Sequence, residues 1–394
     1  KRLLRRIAEV QRHGGGIVAV YNEEVVIESL TRFGYPLEEA RGFTNDGCWE
    51  MLIPGKTAFT YIPFDMLGIL QATLGLTPNK EPVPTYADFE SLYGAFKERL
   101  ARRVKAHQEA AKNYWVRKKH ALPLISIFVD GCIEKGRAYN NRGPRYSVTA
   151  LHAGGLANVA NSLLVIEQLV YRDGYMSLGE LVEALRGDWD GHEPLRRMIQ
   201  RRFAFYGNDD DRADAMVQRV FDDYATLMEE VPERDGVRLP TGISTFGREI
   251  DWSRKLKSRT ASPDGHRASD ILATNCSPSP GTDRHGPTAV LKSYCKLDLT
   301  RAPGGATVEL KVHPHSVKDE NGLQAMVGAM RAFVRLGGLF MHLDVVDSTL
   351  LIDAQRHPER YPNLAVRVAG WSARFATLNR DWQEMIINRT QQYL

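Results

Sequence analysis

Arg367-Val368-Ala369-Gly370-Trp371-Ser372-Ala373-Arg374-Phe375 sets a glycine between apolar neighbours in a stretch that reads as a strand and loop. Such a glycine marks a bulge or the close approach of another backbone. The segments on either side continue an α/β pattern. Apolar runs at Ala289–Ser293, Thr307–Val312 and Leu339–Val346 predict strands, because each is too short for a typical helix. Helical periodicity predicts helices over Gly322–Leu336 and Arg380–Gln391.

Further towards the N-terminus the same alternation holds. Asn22 is placed to cap a helix through Val25, Val26 and Leu30, which Gly34 and Pro36 end. Thr44 to Thr57 carries glycines and a proline without helical period and reads as a loop. An amphipathic helix is expected from Tyr86 to about Lys119, and Leu122–Val129 reads as a short buried strand. Gly154–Tyr171 predicts a helix packed on small residues. Ser177 with Glu180 forms a capping-box pattern for the next helix, and Asp209–Glu230 predicts another. Pro232 to Pro287 is rich in Gly, Pro, Ser and Asp and marks a boundary or long functional loop. The fold class is α/β, with residues 1–270 as one section and 271–394 as a distinct C-terminal one.

Composition narrows the function classes. The 394 residues are 43% hydrophobic and 25% charged, enough apolar material for a sizeable core. No apolar run approaches the roughly 18 residues that cross a bilayer, so no membrane partner is expected. The net charge of +4 is nearly balanced. Arg99, Arg102, Arg103, Lys105 and Arg117-Lys118-Lys119 lie on an amphipathic helix with Phe89, Leu92, Phe96, Leu100 and Val104. They read as a solvated face rather than a nucleic-acid footprint. Cys48, Cys132, Cys276 and Cys295 show neither metal spacing nor a disulfide framework, which fits a reduced, cytoplasmic compartment. The chain opens with Lys1 inside a helical pattern and without Met, so a fragment of a longer protein is expected.

The Arg367–Phe375 string resembles the glycyl radical signature of the pyruvate formate-lyase-like superfamily. Upstream, Gly338-Leu339-Phe340-Met341-His342-Leu343-Asp344-Val345-Val346-Asp347 and Ala354-Gln355-x-His357-Pro358-x-x-Tyr361 resemble the family's approach to that loop. Downstream, Trp382-Gln383-x-x-Ile386-Ile387-x-Arg389-Thr390 resembles its closing helix. The resemblance implies a protein-based glycyl radical on Gly370, with no bound cofactor or metal. A radical S-adenosylmethionine activating enzyme bearing an iron-sulfur cluster would install it. A carbon radical between an amide nitrogen and a carbonyl is delocalised when the backbone can flatten, and the missing side chain permits that. Many relatives have tyrosine where this chain has Trp371.

Asn45-Asp46-Gly47-Cys48-Trp49-Glu50 resembles the family's cysteine loop. There the thiol gives its hydrogen atom to the glycyl radical, and the resulting thiyl radical attacks substrate. The S–H bond is close in strength to the C–H bonds on either side, so the transfers are reversible. On extended backbone Cys48 and Glu50 point to one side and Trp49 to the other, so a thiyl and a carboxylate would face one cavity. Cys-x-Glu resembles the branch of diol and hydroxyproline dehydratases, amine and sulfite lyases and arylacetate decarboxylases. Gly47 and Trp49 flank the thiol, which disfavours the paired-cysteine acyl transfer of the formate-lyase branch.

Cys132-Ile133-Glu134 repeats the tripeptide and reads as a packed cysteine with a surface glutamate. Gly55-Lys56-Thr57 lacks the leading glycine of a phosphate-binding loop. Asn208-Asp209-Asp210-Asp211 lacks the turn glycine of a calcium loop and reads as a helix cap. The resemblance implies half of a ten-stranded β/α barrel followed by a glycyl radical domain. Catalytic residues Gly370, Cys48 and Glu50, a small-molecule substrate and a homodimer are further implications. The expected reaction is elimination of a dehydratase type, with arylacetate decarboxylation as the alternative. An inactive fragment and a radical-repair subunit are alternatives of another class. Repair subunits lack the cysteine loop.

Overall fold

Two mainly parallel sheets build the frame. In the first, β2 (Thr57–Asp65) pairs along its whole length with β3 (Tyr146–Gly154), which pairs in turn with β4 (Thr241–Ser244). All nine residues of β3 are buried, as expected of a parallel strand covered on both faces. Helix Leu156–Ile166 follows at once and is also buried throughout. In the second sheet, β5 (Thr307–Val312) lies parallel to β6 (Phe340–Val345), flanked by antiparallel β1 (Ala19–Tyr21) and a short C-terminal strand, β9 (Gln391–Gln392). Backbone hydrogen bonds from Gly304 to Thr241 and from Ile243 to Gly305 join the two sheets. The computed structural model describes residues 2–16, 18–76, 81–115, 122–244, 260–268, 270–368 and 370–394.

Most helices lie where periodicity puts them. Glu23–Arg32 starts at Asn22, although the Asn22 amide bonds the Val334 carbonyl rather than capping its own helix. Ser177 and Glu180 cap Leu178–Arg186 reciprocally, and Asp210 accepts from the amides of Arg212 and Ala213 at the start of Asp211–Glu229. The long amphipathic helix runs over Phe89–Ala110 and a further turn ends at Asn113. The rest of its expected span, from residue 116, lies outside the described residues.

Several expectations are corrected. Leu122–Val129 is no buried strand: Pro123 opens a short helix, Pro123–Ser126, and Leu124 and Phe128 are each about seven-tenths exposed. Ala289–Ser293 lies inside helix Pro287–Cys295, again with proline in the first turn. Within Thr44–Thr57, Thr44–Asn45 and Met51–Leu52 pair as a small antiparallel ribbon, so the cysteine loop is a hairpin tip.

The C-terminal section ends in a second hairpin, β7 (Ala365–Arg367) and β8 (Ser372–Arg374), closed by helix Arg380–Asn388. It has its own apolar cluster, which includes Val366, Val368, Phe375 and Ile386 and also takes in Trp49 from the cysteine loop.

Candidate active site

The hairpin tip and the cysteine loop touch. Gly370 has φ of +91°, where residues with a side chain are strained. A Cβ on it would fall 2.7 Å from the Trp49 ring and 2.9 Å from the Cys48 Cα and carbonyl carbon. Gly305 meets the other side of the same loop: a Cβ there would lie 2.7 Å from the Trp49 ring and 2.8 Å from its carbonyl oxygen. Trp49, only 2% exposed, is therefore wedged between two glycines. Its bulk ties the cysteine loop to the Gly370 hairpin.

Cys48 and Glu50 do converge, as the alternation predicts, and Asp46 joins them. The Cys48 sulfur and one carboxyl oxygen each of Asp46 and Glu50 lie within 4.8 Å of one another. The Cys48 amide donates to Asp46 Oδ1 at 3.0 Å, and the Trp49 amide to Glu50 Oε2 at 3.1 Å. Glu50 is wholly buried whereas Asp46 is exposed. Burial first, then the neighbouring Asp46 carboxylate, raises the Glu50 carboxyl well above the usual carboxylate range. The trio has donor types that can meet a cation. Above the loop, the Tyr21 hydroxyl donates to the Cys48 carbonyl at 3.5 Å, and its ring stacks on Phe340.

Two guanidinium groups grip the hairpin tip. Arg367 donates to the Gly370 carbonyl; Arg389 donates to the carbonyls of Arg367 and Val368. Arg389 is itself paired with Glu309 at 3.1 Å, and both are almost fully buried. Thr274 donates to the same Glu309 oxygen at 2.5 Å. Beneath the hairpin lies a buried polar sheet face. Glu309 and Lys311 of β5 stand in register with His342 and Asp344 of β6, while the residues alternating with them feed the main core. Burial, then Arg367 and Arg389, holds His342 neutral by pushing its pKa far down. Burial pushes Asp344 up to about 6, and it accepts the Arg367 amide at 3.3 Å. Lys311 is lowered to about 8 by burial, then by Arg389, and donates to Ser348 and the Ile387 carbonyl.

Of the other candidates, Cys132 is buried on a short helix with Glu134 exposed beside it. Of the aromatic rings in and after the cysteine loop, Phe59 lies 6.4 Å from Tyr61. Tyr61 stacks on His152 and Trp49 lies 6.3 Å from the same imidazole, but Phe64 turns to Tyr224 in the core. Sequence reasoning assigns no role to Asp46, Arg367, Arg389 or Glu309. The signal for Asp46 was available: it stands two residues before Cys48, as Glu50 stands two after.

A frame of mainly parallel strands covered by helices, whose cysteine loop is met by the glycine tip of a C-terminal hairpin, sets the class of fold. Residues 1–251 match the pyruvate formate lyase-like family model and residues 272–376 the glycine radical model. The chain belongs to the pyruvate formate lyase-like, glycyl radical enzyme superfamily. Trans-4-hydroxy-L-proline dehydratase of Clostridioides difficile is 32% identical over 410 residues, covering 100% of this chain and 51% of that protein. The glycerol-bound form of the B12-independent glycerol dehydratase from Clostridium butyricum matches with a TM-score of 0.91 at 30% identity, over 100% of this chain and 51% of that one. A structure described for 1,2-propanediol dehydration in Roseburia inulinivorans matches with a TM-score of 0.90 at 32% identity, with the same coverage. The chain spans about half the length of the relatives it matches.

Proposed function

We propose that this chain carries the radical store and relay of a dehydratase-type glycyl radical lyase. The observation that carries the reading is the contact of the Gly370 tip with the Cys48 backbone. An activating enzyme of the radical S-adenosylmethionine class removes one α-hydrogen from Gly370. Cys48 then gives its sulfhydryl hydrogen atom to that carbon and becomes a thiyl radical. The thiyl takes a hydrogen atom from a hydroxyl-bearing carbon of a small substrate. Glu50 manages the proton as the neighbouring group leaves with its bonding electrons, and the product radical recovers its hydrogen atom from Cys48. Carbon radicals capture oxygen directly, which confines the reaction to anaerobic metabolism.

Elimination is preferred to decarboxylation because a carboxyl beside the thiol fits removal of a hydroxyl proton. The test is an anaerobic assay of the activated protein containing this chain, with vicinal diols, hydroxyproline and arylacetates. Dehydration of a hydroxylated substrate, lost in Glu50→Gln, is expected. Carbon dioxide from an arylacetate, with no dehydration of any substrate, would overturn it.

A further inference from the structure

We propose that Asp46, Cys48 and Glu50 form a binding site for a thiophilic divalent cation of the Zn2+ class, which in the resting enzyme engages the thiol that the radical relay needs. The three side chains stand at alternate positions of one hairpin tip, a spacing that turns them to one side of the backbone. The Cys48 sulfur and one carboxyl oxygen each of Asp46 and Glu50 lie within 4.8 Å of one another. Zinc holds sulfur at about 2.3 Å and carboxylate oxygen at about 2.0–2.2 Å in a tetrahedron, which sets ligand atoms roughly 3.5 Å apart. The trio therefore needs only a small contraction. Gly47, where an added Cβ would meet nothing within 4 Å, leaves the tip room to make it.

Glu50 gives an independent sign of a ligand. Its side chain is wholly buried and its Oε2 accepts the Trp49 amide, yet its Oε1 accepts no N–H or O–H from the described residues. The group beside this carboxyl is that of Asp46, which offers it no donor when ionised. Buried polar oxygens without a partner are rare and costly, and a cation held between the two carboxyls and the thiol meets this one.

The mixed donor set selects the ion. One thiolate with two carboxylates suits zinc, whereas magnesium and calcium take all-oxygen sets and Cu(I) takes sulfur-rich ones. Exposed Asp46 and half-buried Cys48 give the ion a way in from solvent. The fixed cation nearby, Arg367, donates to the Gly370 carbonyl and also interacts with Glu309, Asp344 and Cys48. A guanidinium beside a thiol favours the thiolate, the form that binds metal. Binding exchanges a proton for the metal: the Cys48 S–H bond breaks, its proton goes to water, and the sulfur electron pair forms the bond to zinc with no change of oxidation state. Cys48 then has no hydrogen atom to give to a radical on Gly370. That arrest rests on the proposed relay; the binding does not.

The test uses the unactivated protein containing this chain, stripped with chelator and kept anaerobic. Co2+, a spectroscopic stand-in for Zn2+, should bind at one ion per chain with a thiolate-to-cobalt charge-transfer band in the near ultraviolet. An equal amount of Zn2+ should displace it, and millimolar Mg2+ should not. Cys48→Ser should lose the band, and Cys132→Ser should keep it. Asp46→Asn, at an exposed position that leaves Glu50 in place, and Glu50→Gln should each weaken Zn2+ binding at least about tenfold, the scale of losing even an outer partner of a metal site. A band surviving in Cys48→Ser, no band at a twofold excess of Co2+, or unchanged Zn2+ affinity in Asp46→Asn would overturn the site. In activated protein Zn2+ should stop turnover and chelator restore it, with the Gly370 radical signal unchanged throughout. Turnover indifferent to saturating Zn2+ would overturn the arrest. A protein that dehydrates no substrate yet shows the Cys48-dependent band would sink the elimination reading and leave the site standing.

Discussion

Replacing Arg389 by leucine removes one partner of the Arg389–Glu309 pair, whose side chains are only 8% and 1% exposed and 3.1 Å apart. It also strips the donors from the carbonyls of Arg367 and Val368 at the base of the Gly370 tip. Leaving one member of a buried pair uncompensated costs about 3–5 kcal/mol, a penalty concentrated on the hairpin. The readout is local: the Val368 amide, bonded to the Trp371 carbonyl at 2.8 Å, and the Phe375 amide, bonded to Leu364 at 2.8 Å, report hairpin opening by hydrogen exchange. At about tenfold per 1.4 kcal/mol, their exchange should accelerate from about a hundredfold to a few thousandfold. Core amides in Tyr146–Gly154 should change far less. Arg389→Leu with Glu309→Leu removes both charges, and much of the loss should return, because a buried pair is worth little against a well-packed apolar replacement. Less than threefold acceleration in the single variant, or a double variant as damaged as the single, would refute the clamp.

Three further outcomes are expected. In the activated protein, Cys48→Ser should abolish turnover while the radical persists, and Cys132→Ser should cost stability but keep turnover; the reverse pattern in anaerobic assays would exclude the relay. Trp49→Ala should cost about 3–5 kcal/mol in urea unfolding, the usual range for emptying a buried aromatic site, and a loss under 1 kcal/mol would show that the wedge does not join the two loops. Asp344, with a folded pKa of about 6 against about 3.9 unfolded, binds its proton more tightly when folded, so its contribution to stability is present below pH 4 and lost as pH rises through 6. Asp344→Asn should flatten that decline by about 2–3 kcal/mol, and unfolding curves at both ends of the window with no such difference would contradict the assignment.

Much of the site was legible because its chemistry sits in two contiguous strings. Asn45–Glu50 and Arg367–Phe375 carry the thiol, the carboxyl and the glycine within short spans, and alternation alone predicts that Cys48 and Glu50 converge. The central strands were harder. Tyr146–Gly154 is covered on both faces, and its apolar-polar alternation holds only over 146–150 before adjacent Ala150 and Leu151 break it, so it shows neither a sustained alternation nor a clean apolar run. Thr57–Asp65 contains Pro63, which weakens a strand reading; that strand lies at the end of its described sheet, where proline is tolerated. The polar face of β5 and β6 misleads in another way. Alternating Glu309, Lys311, His342 and Asp344 would ordinarily look outward to water, but later segments bury them, Arg367 over Asp344, Arg389 over Glu309 and Ile387 over Lys311. Local sequence holds no record of a cover supplied by residues further along the chain.

The central claim is that Gly370 stores the electron that Cys48 uses. Its most direct test is electron paramagnetic resonance of the anaerobically activated protein, prepared with ordinary glycine, with α-deuterated glycine, and as Gly370→Ala. An organic radical split by one α-hydrogen in the first, collapsed in the second and missing in the third is the predicted result. A signal of unchanged shape and intensity in Gly370→Ala would contradict it.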